Sequence, residues 1–277
     1  MHLQSINGVT LSGQNPHPFS VRAIARVWRI INLNTLVVIT LSFVATYISI
    51  AFDLRAELPL TIISITVIFP MVFSINSAYQ RRERALDAYG QLQAYLSAVL
   101  LGLRDWRSDT EHDLALHKQG LALSEAVLND MSAYLSCQEQ GARPTFNQDS
   151  FIALSRFINH EGRQSGIVPP EISRLNHFLA LMMDAANTLR LIKDYRTPVT
   201  LKAFSTFFVF VLPVMYAPHF AGLAENYTKG LVYILPLLFS LVLVSLSNIQ
   251  DELEDPFDNI GEDDITINTQ EILHDFR

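Results

Sequence analysis

The sequence predicts an all-α membrane protein, with four helical spans and a large soluble helical insert between the second and the third. Three observations lead there. Charged residues make up only 17% of the 277 and hydrophobic ones 49%, where a typical soluble domain carries about 25% charged residues. The shortage of charge is confined to four stretches, which points to lipid as one of the solvents. Between the second and third stretches the chain regains ordinary charge density and a helical repeat, as in Leu92, Tyr95, Leu96, Val99 and Leu100.

Residues 1–20 hold Gly, Pro, Ser and Asn without a helical period and read as a loose arm. Residues 21–30 place Ile24, Val27 and Trp28 on one side, with Arg22, Arg26 and Arg29 between them. That pattern suits a short helix on the membrane surface, with Trp28 at headgroup depth. Residues 30–52 contain no charge; about 23 residues at about 1.5 Å each exceed a hydrocarbon layer of about 30 Å. The run is too long for the apolar core of a signal peptide, so it is expected to be a retained helix. Asp53, Arg55 and Glu57 form a short polar link, and Pro59 opens a second apolar run to about Tyr79. A link this short predicts that the first two spans form a hairpin.

From Arg81 to about Arg196 three to five soluble helices are expected, with breaks near Gly141, Pro144 and Pro169–Pro170. Charge leaves again over residues 203–224, where His219 is the one titratable exception, and over 230–250. Pro213, Pro218 and Pro236 are expected to kink these spans, which a helix bundle tolerates. The last 27 residues are acidic and polar and end in a short helix over 270–276. The expected division is an arm and interfacial helix at 1–29, a hairpin at 30–80, the insert at 81–198, a second hairpin at 199–250 and an acidic tail at 251–277. Lys and Arg near the span ends crowd one side: Arg22, Arg26, Arg29, Arg81, Arg82, Arg84, Arg196 and Lys202, against Arg55 and Lys229. Both termini and the insert are therefore expected in the cytoplasm. Asn226 begins a glycosylation sequon on the opposite side.

Several function classes fall away. No Lys/Arg-rich block marks a nucleic-acid partner. There is no HExxH, Gly-rich phosphate loop or GxSxG, and the eight histidines are scattered, so no catalytic residues, enzyme activity or cofactor are expected. Cys137 is the single cysteine and reads as a small buried hydrophobe. In the second span Ile65, Phe69 and Phe73 recur every four residues and share a helix face. Around a symmetry axis that stripe would form stacked apolar rings, which gate a pore by dewetting. Otherwise it packs on another helix; spacing alone leaves both readings open and favours packing.

Phe73, Asn76, Tyr79, Arg81 and Gly90 fall in register with a pattern that resembles the bestrophin family, in which the second span ends F-R-x-N-x-x-Y-x-R-W-W-E with a glycine further on. After the fourth span, Glu254-Asp255-Pro256-Phe257 resembles that family's E-x-P-F-G segment. The resemblance implies a homopentamer in the bilayer with one axial pore that passes inorganic ions. Its neck would be Ile65, Phe69 and Phe73, with Asn76 and Tyr79 just inside. A second constriction at the cytosolic mouth would fall at Asp194 or Ile192. A ring of Asp194 carboxylates would favour cations; many family members conduct anions, so the sign stays open. Arg81, Arg82 and Arg84 would line a vestibule or meet lipid headgroups.

The sequence departs from the pattern where Arg82 and Glu83 replace the paired Trp, Arg84 the following Glu, and Asp258 the Gly after Pro-Phe. The acidic run Glu262-Asp263-Asp264 is shorter and shifted relative to the eukaryotic calcium clasp. Since calcium takes six to eight oxygens, these three are expected to be solvated, and no metal is expected. The spacing is closer to the bacterial branch, and with no transit-like leader in view the expected location is a bacterial inner membrane. The rival class is a membrane-anchored scaffold or sensor whose insert binds a partner protein.

Overall fold

A computed structural model describes residues 32–106, 113–137, 146–195, 199–223, 230–258 and 264–276. The expected interfacial helix with Trp28, the sequon at Asn226, and Glu262 and Asp263 lie outside these residues. The described elements are helical and include no strand. In chain order they are α1 (Leu33–Ala51), α2 (Leu60–Asp105), α3 (Asp113–Ser136), α4 (Asp149–Gln164) and α5 (Pro169–Asp194). There follow α6 (Val199–Met215), α7 (Ala217–Gly222), α8 (Leu231–Glu254) and α9 (Thr269–Leu273), with a 3-10 turn at His274–Phe276.

Among the described residues three segments are long and apolar enough to cross a membrane: Leu33–Ala51, Thr200–Gly222 and Val232–Glu254. The remaining apolar run forms the first part of α2. Within the apolar region the first span is packed inside out. Helix α1 buries Thr35, Val38, Ser42, Thr46 and Ser49, and exposes Leu36, Val37, Phe43, Val44, Tyr47 and Ile48. Small side chains let backbones approach, while the large apolar ones are left for lipid. The buried hydroxyls of α1 have partners on their own helix or on α8. Ser42 donates to the Pro236 carbonyl on α8 at 3.3 Å, and Thr46 to the Ser42 carbonyl at 2.9 Å. Asn248 of α8 donates to Thr35 Oγ1 at 3.2 Å. Ser240 also donates to the Pro236 carbonyl, at 2.7 Å.

Helix α1 ends where Asp53 takes a left-handed φ of 54°, which Asp tolerates better than most residues. The Leu54 N–H then reaches the Ser49 carbonyl at 2.8 Å, and the Asp53 N–H reaches that of Ile50 at 3.3 Å. This is the paired bonding of a Schellman cap. The short link does join α1 to α2, but each packs chiefly on other partners: α1 on α6, α7 and α8, the apolar part of α2 on α6 and α8. The expected hairpin is therefore a pair of strut helices held by a common neighbour. The third span is interrupted at one residue, Tyr216, between α6 and α7, with the Tyr216 N–H still on the Leu212 carbonyl at 2.9 Å and Pro218 in the first turn of α7, where a missing N–H costs nothing.

Helix α2 does not stop at the membrane boundary. Its 46 residues run through Arg81–Arg84 into the insert and end at Asp105. There it meets α5 as its main partner. Leu92, Leu96, Val99, Leu100 and Leu103 share one core with Leu175, Leu179, Met182 and Leu189 of α5, and with Phe151, Leu154 and Ile158 of α4. Each such side chain contributes about 1.5–3 kcal/mol through its burial. Pro169 and Pro170 open α5 in its first turn, as the sequence break predicted.

The tail is not a loose acidic appendage. Phe257, Ile265 and Leu273 are buried in the insert core. Thr269 Oγ1 donates to Asn129 of α3 at 2.9 Å, and the His117 ring pairs with the Phe276 carbonyl at 2.7 Å. Burial raises the Tyr89 phenol above its ordinary pKa; Glu271 adds to this, while bonds with Gln93 and Asn268 oppose it. That places residues 268–271 against α2. The expected terminal helix over 270–276 is present as α9 and the 3-10 turn.

Truncating Phe257→Ala should cost about 3–5 kcal/mol, because it empties a fully buried site. Thermal unfolding of the purified protein in detergent checks this. Glu252→Ala, at an exposed position just before it, should stay within about 0.5 kcal/mol.

Candidate functional site

The site begins with the two faces of α2. Along one face Val67, Met71, Ser74, Ala78, Ala85, Ala88, Leu92 and Leu96 are buried against the rest of the subunit. On the other, Ile65, Phe69 and Phe73 are 57%, 61% and 59% exposed. Four residues advance an α-helix by about 40° beyond a full turn, so these three lie within about 40° of Phe69. The Phe69 and Phe73 rings meet edge to face with centroids 5.1 Å apart. The packing alternative weighed for this stripe has no partner among the described residues of the subunit.

The same face continues past the apolar section. By the helical repeat, Asn76, Gln80, Glu83 and Asp87 also fall within about 40° of Phe69, and all four are exposed. Gln91 donates to Asp87 at 3.1 Å. Tyr79 is half exposed but stands about 80° to one side, so it borders the stripe rather than lying on it. Gln80, Glu83 and Asp87 were not singled out from the sequence. The steps 73, 76, 80, 83, 87 were there to read, but the charges at 81–84 drew attention to the end of the span.

The arginines separate by direction. Arg84 is exposed and lies about 60° from Phe69, while Arg81 and Arg82 are turned about 120° and 140° away. Arg82 pairs with Glu83 at 3.4 Å. Arg81 faces its own subunit. Its two terminal nitrogens donate to the main-chain carbonyls of Ile192 and Tyr195, at the end of α5.

Both candidates for the second constriction lie in this last turn. Asp194, its side chain 33% exposed, accepts from the Tyr134 hydroxyl of α3 and pairs with Arg190 one turn earlier at 3.5 Å. Ile192 is half-buried against the insert core. The most exposed side chains of the turn are Leu191 and Tyr195, 50% and 71% exposed, which no motif in the sequence marks. On its other side the turn is tied to α8. Lys193 pairs with Asp255 at 3.1 Å, the two side chains 8% and 18% exposed. At the start of α6, Lys202 pairs with Glu254 at 2.6 Å and with Asp251 at 3.0 Å.

At the opposite end of α2, a crevice of about 540 Å³ opens between the α1–α2 link and α7, lined by Arg55, Glu57, Leu58, His219 and Leu223. The Ala56 N–H donates to the Pro218 carbonyl at 3.4 Å and joins its two walls. Among the described residues no three His, Cys, Asp or Glu side chains are grouped to hold a metal ion. Asp264 is half-buried, next to the buried Ile265.

No family model matches the sequence, and no curated protein matches it. Solved structures do. A crystal structure of a bacterial Bestrophin homolog from Klebsiella pneumoniae is 16% identical with a TM-score of 0.69, over 87% of this chain and 97% of that one. A point mutant of such a homolog from the same organism is 15% identical with a TM-score of 0.70, over 88% and 97%. A further mutant structure, described only as a membrane protein, is 15% identical with a TM-score of 0.70, over 88% and 98%. The chain thus has the all-helical fold of the bacterial bestrophin homologs over most of its length. At these identities the likeness speaks for the fold alone.

Removing the Lys193 ammonium leaves a largely buried carboxylate short of its cation. Lys193→Ala should cost on the order of 3 kcal/mol, and pairing it with Asp255→Ala should recover most of that loss. Chemical unfolding of the single and double variants in detergent measures both.

Proposed function

We propose that this chain is the subunit of a homopentameric, bestrophin-like ion channel in a bacterial inner membrane. The first part of α2 supplies the second span and brings the total to four, and both termini and the insert lie in the cytoplasm. Small monovalent ions pass down their gradient through a neck of Ile65, Phe69 and Phe73. A narrow apolar tube empties of water unless it widens, so the neck controls passage. Asn76 lies on the same face one turn further in, where a polar group rehydrates an ion leaving the neck. The chain does no chemistry on what passes, and its partners are ions, lipid and its own copies.

The observation that carries this reading is the continuous uncovered face of α2. From Ile65 to Asp87 it spans about 33 Å, on the side away from the subunit's own packing. Lipid would account for an apolar stripe alone. It does not account for the same face once it carries Glu83 and Asp87. A path that begins greasy and becomes wet and charged accounts for both. The sign of the ion follows from the balance along that face, where Glu83 and Asp87 stand near Arg84.

The test is current through purified protein in planar bilayers under a KCl gradient, for the wild type and for Ile65→Ala/Phe69→Ala/Phe73→Ala. Current should rise at least tenfold in the triple variant, and its reversal potential gives the sign. No current from either protein, with insertion as an oligomer confirmed, would instead favour a membrane-anchored scaffold.

A further inference from the structure

We propose that Arg81 is a positioning residue that fixes the last turn of α5 to the neck helix, so that the neck and the cytosolic mouth move as one. The proposal rests on the channel reading for its consequence, and on the geometry of one side chain for its cause.

The last four carbonyls of a helix have no partner within it. Helix α5 ends without a glycine cap: Tyr195 follows Asp194 in an extended conformation, its N–H returned to the Leu191 carbonyl at 3.0 Å. Arg81 supplies what the local sequence does not. Its guanidinium crosses from α2 to the carbonyls of Ile192 and Tyr195, three residues apart. A cation at this end of a helix also meets the negative end of its dipole. The planar fork of arginine serves two acceptors at once, whereas a lysine ammonium on a flexible stem is a point charge.

Arg81 lies two turns beyond Phe73 on a helix with no break between them, and it points away from the stripe. A tilt or rotation of α2 that moves Phe69 and Phe73 therefore carries Arg81 with it. The same turn of α5 is held from the other side by Lys193 on Asp255. Residues 191–195 are thus held by α2, by the end of α8 and, through Asp194 on Tyr134, by α3, and the exposed Leu191 and Tyr195 ride on them. Cutting the α2 tether removes the one link from this turn to the neck helix and leaves the links to α3 and α8.

The experiment uses Arg81→Lys and Arg81→Gln in the full-length protein in lipid nanodiscs, each also built on the Ile65→Ala/Phe69→Ala/Phe73→Ala background. Hydrogen exchange reads the local effect. Amides of residues 191–195 should exchange at least tenfold faster in Arg81→Gln and by an intermediate factor in Arg81→Lys, with residues 92–103 unchanged. Bilayer recordings read the consequence. With the neck already widened, the potassium-to-chloride permeability ratio should shift at least twofold in Arg81→Gln, because selection then falls to the charged face at Glu83, Arg84 and Asp87, which is unchanged, and to the mouth, which is displaced. Unchanged exchange at 191–195, or faster exchange with an unchanged permeability ratio, overturns the proposal. If Arg81→Gln does not yield an oligomer, the Arg81→Lys pair decides by the same criteria. If no protein passes current, the channel reading fails by itself, and exchange at 191–195 still decides whether Arg81 positions that turn.

Discussion

Everything in this chain is arranged around the unbroken helix α2. One of its faces is buried from the apolar region into the insert, first against α6 and α8 and then against α5. A rigid rod buried along one side has a second side with a fixed direction. That direction is what makes Ile65, Phe69, Phe73, Asn76, Gln80, Glu83 and Asp87 a single surface rather than seven exposed residues. A kink near Arg81 would have turned the apolar and polar portions to different quarters. Pro70 lies inside α2 without ending it, as expected where neighbouring helices support the freed carbonyl.

The two solvents impose opposite packing rules on one chain. Along α1 hydroxyls and small residues meet the neighbouring helices and bulky side chains face out, while Met71, Leu212, Tyr216 and Phe220 are buried between the other helices of the apolar region. In the insert leucines face in and charges face out. The change occurs within α2 and again between α5 and α6, and both crossings are marked by arginine or lysine. Arg81, Lys193 and Lys202 are not displayed at these crossings; each is engaged with a carbonyl or a carboxylate of another segment. The positive charges that orient a membrane protein here also join its two halves.

The spans were legible in the sequence because lipid excludes charge so strongly that its absence over twenty residues has one common cause. The insert helices were legible from their period. What escaped detection came from reading charge as a boundary. Arg81–Arg84 interrupt the apolar run of α2 but not its 3.6-residue repeat, and the repeat governs the helix. In the tail the adjacent acids stand out, while the residues that anchor it, Phe257, Ile265 and Leu273, lie eight apart and form no local pattern. Asp194 illustrates a different limit. A carboxylate near the expected mouth suggests a charged ring, and the hydroxyl that it accepts from within the chain, Tyr134, lies sixty residues earlier. No spacing rule within α5 contains that partner.

The packing of Phe257, Ile265 and Leu273 into the insert also sets an order of events during synthesis. The insert leaves the ribosome before the third and fourth apolar runs, and domains fold as they emerge. Its core nevertheless lacks three side chains that arrive only after the last apolar helix has been made. Until then the groove they fill stands open. The insert core therefore closes only after the last apolar helix has been made, so the two ends of the chain's synthesis meet in one core.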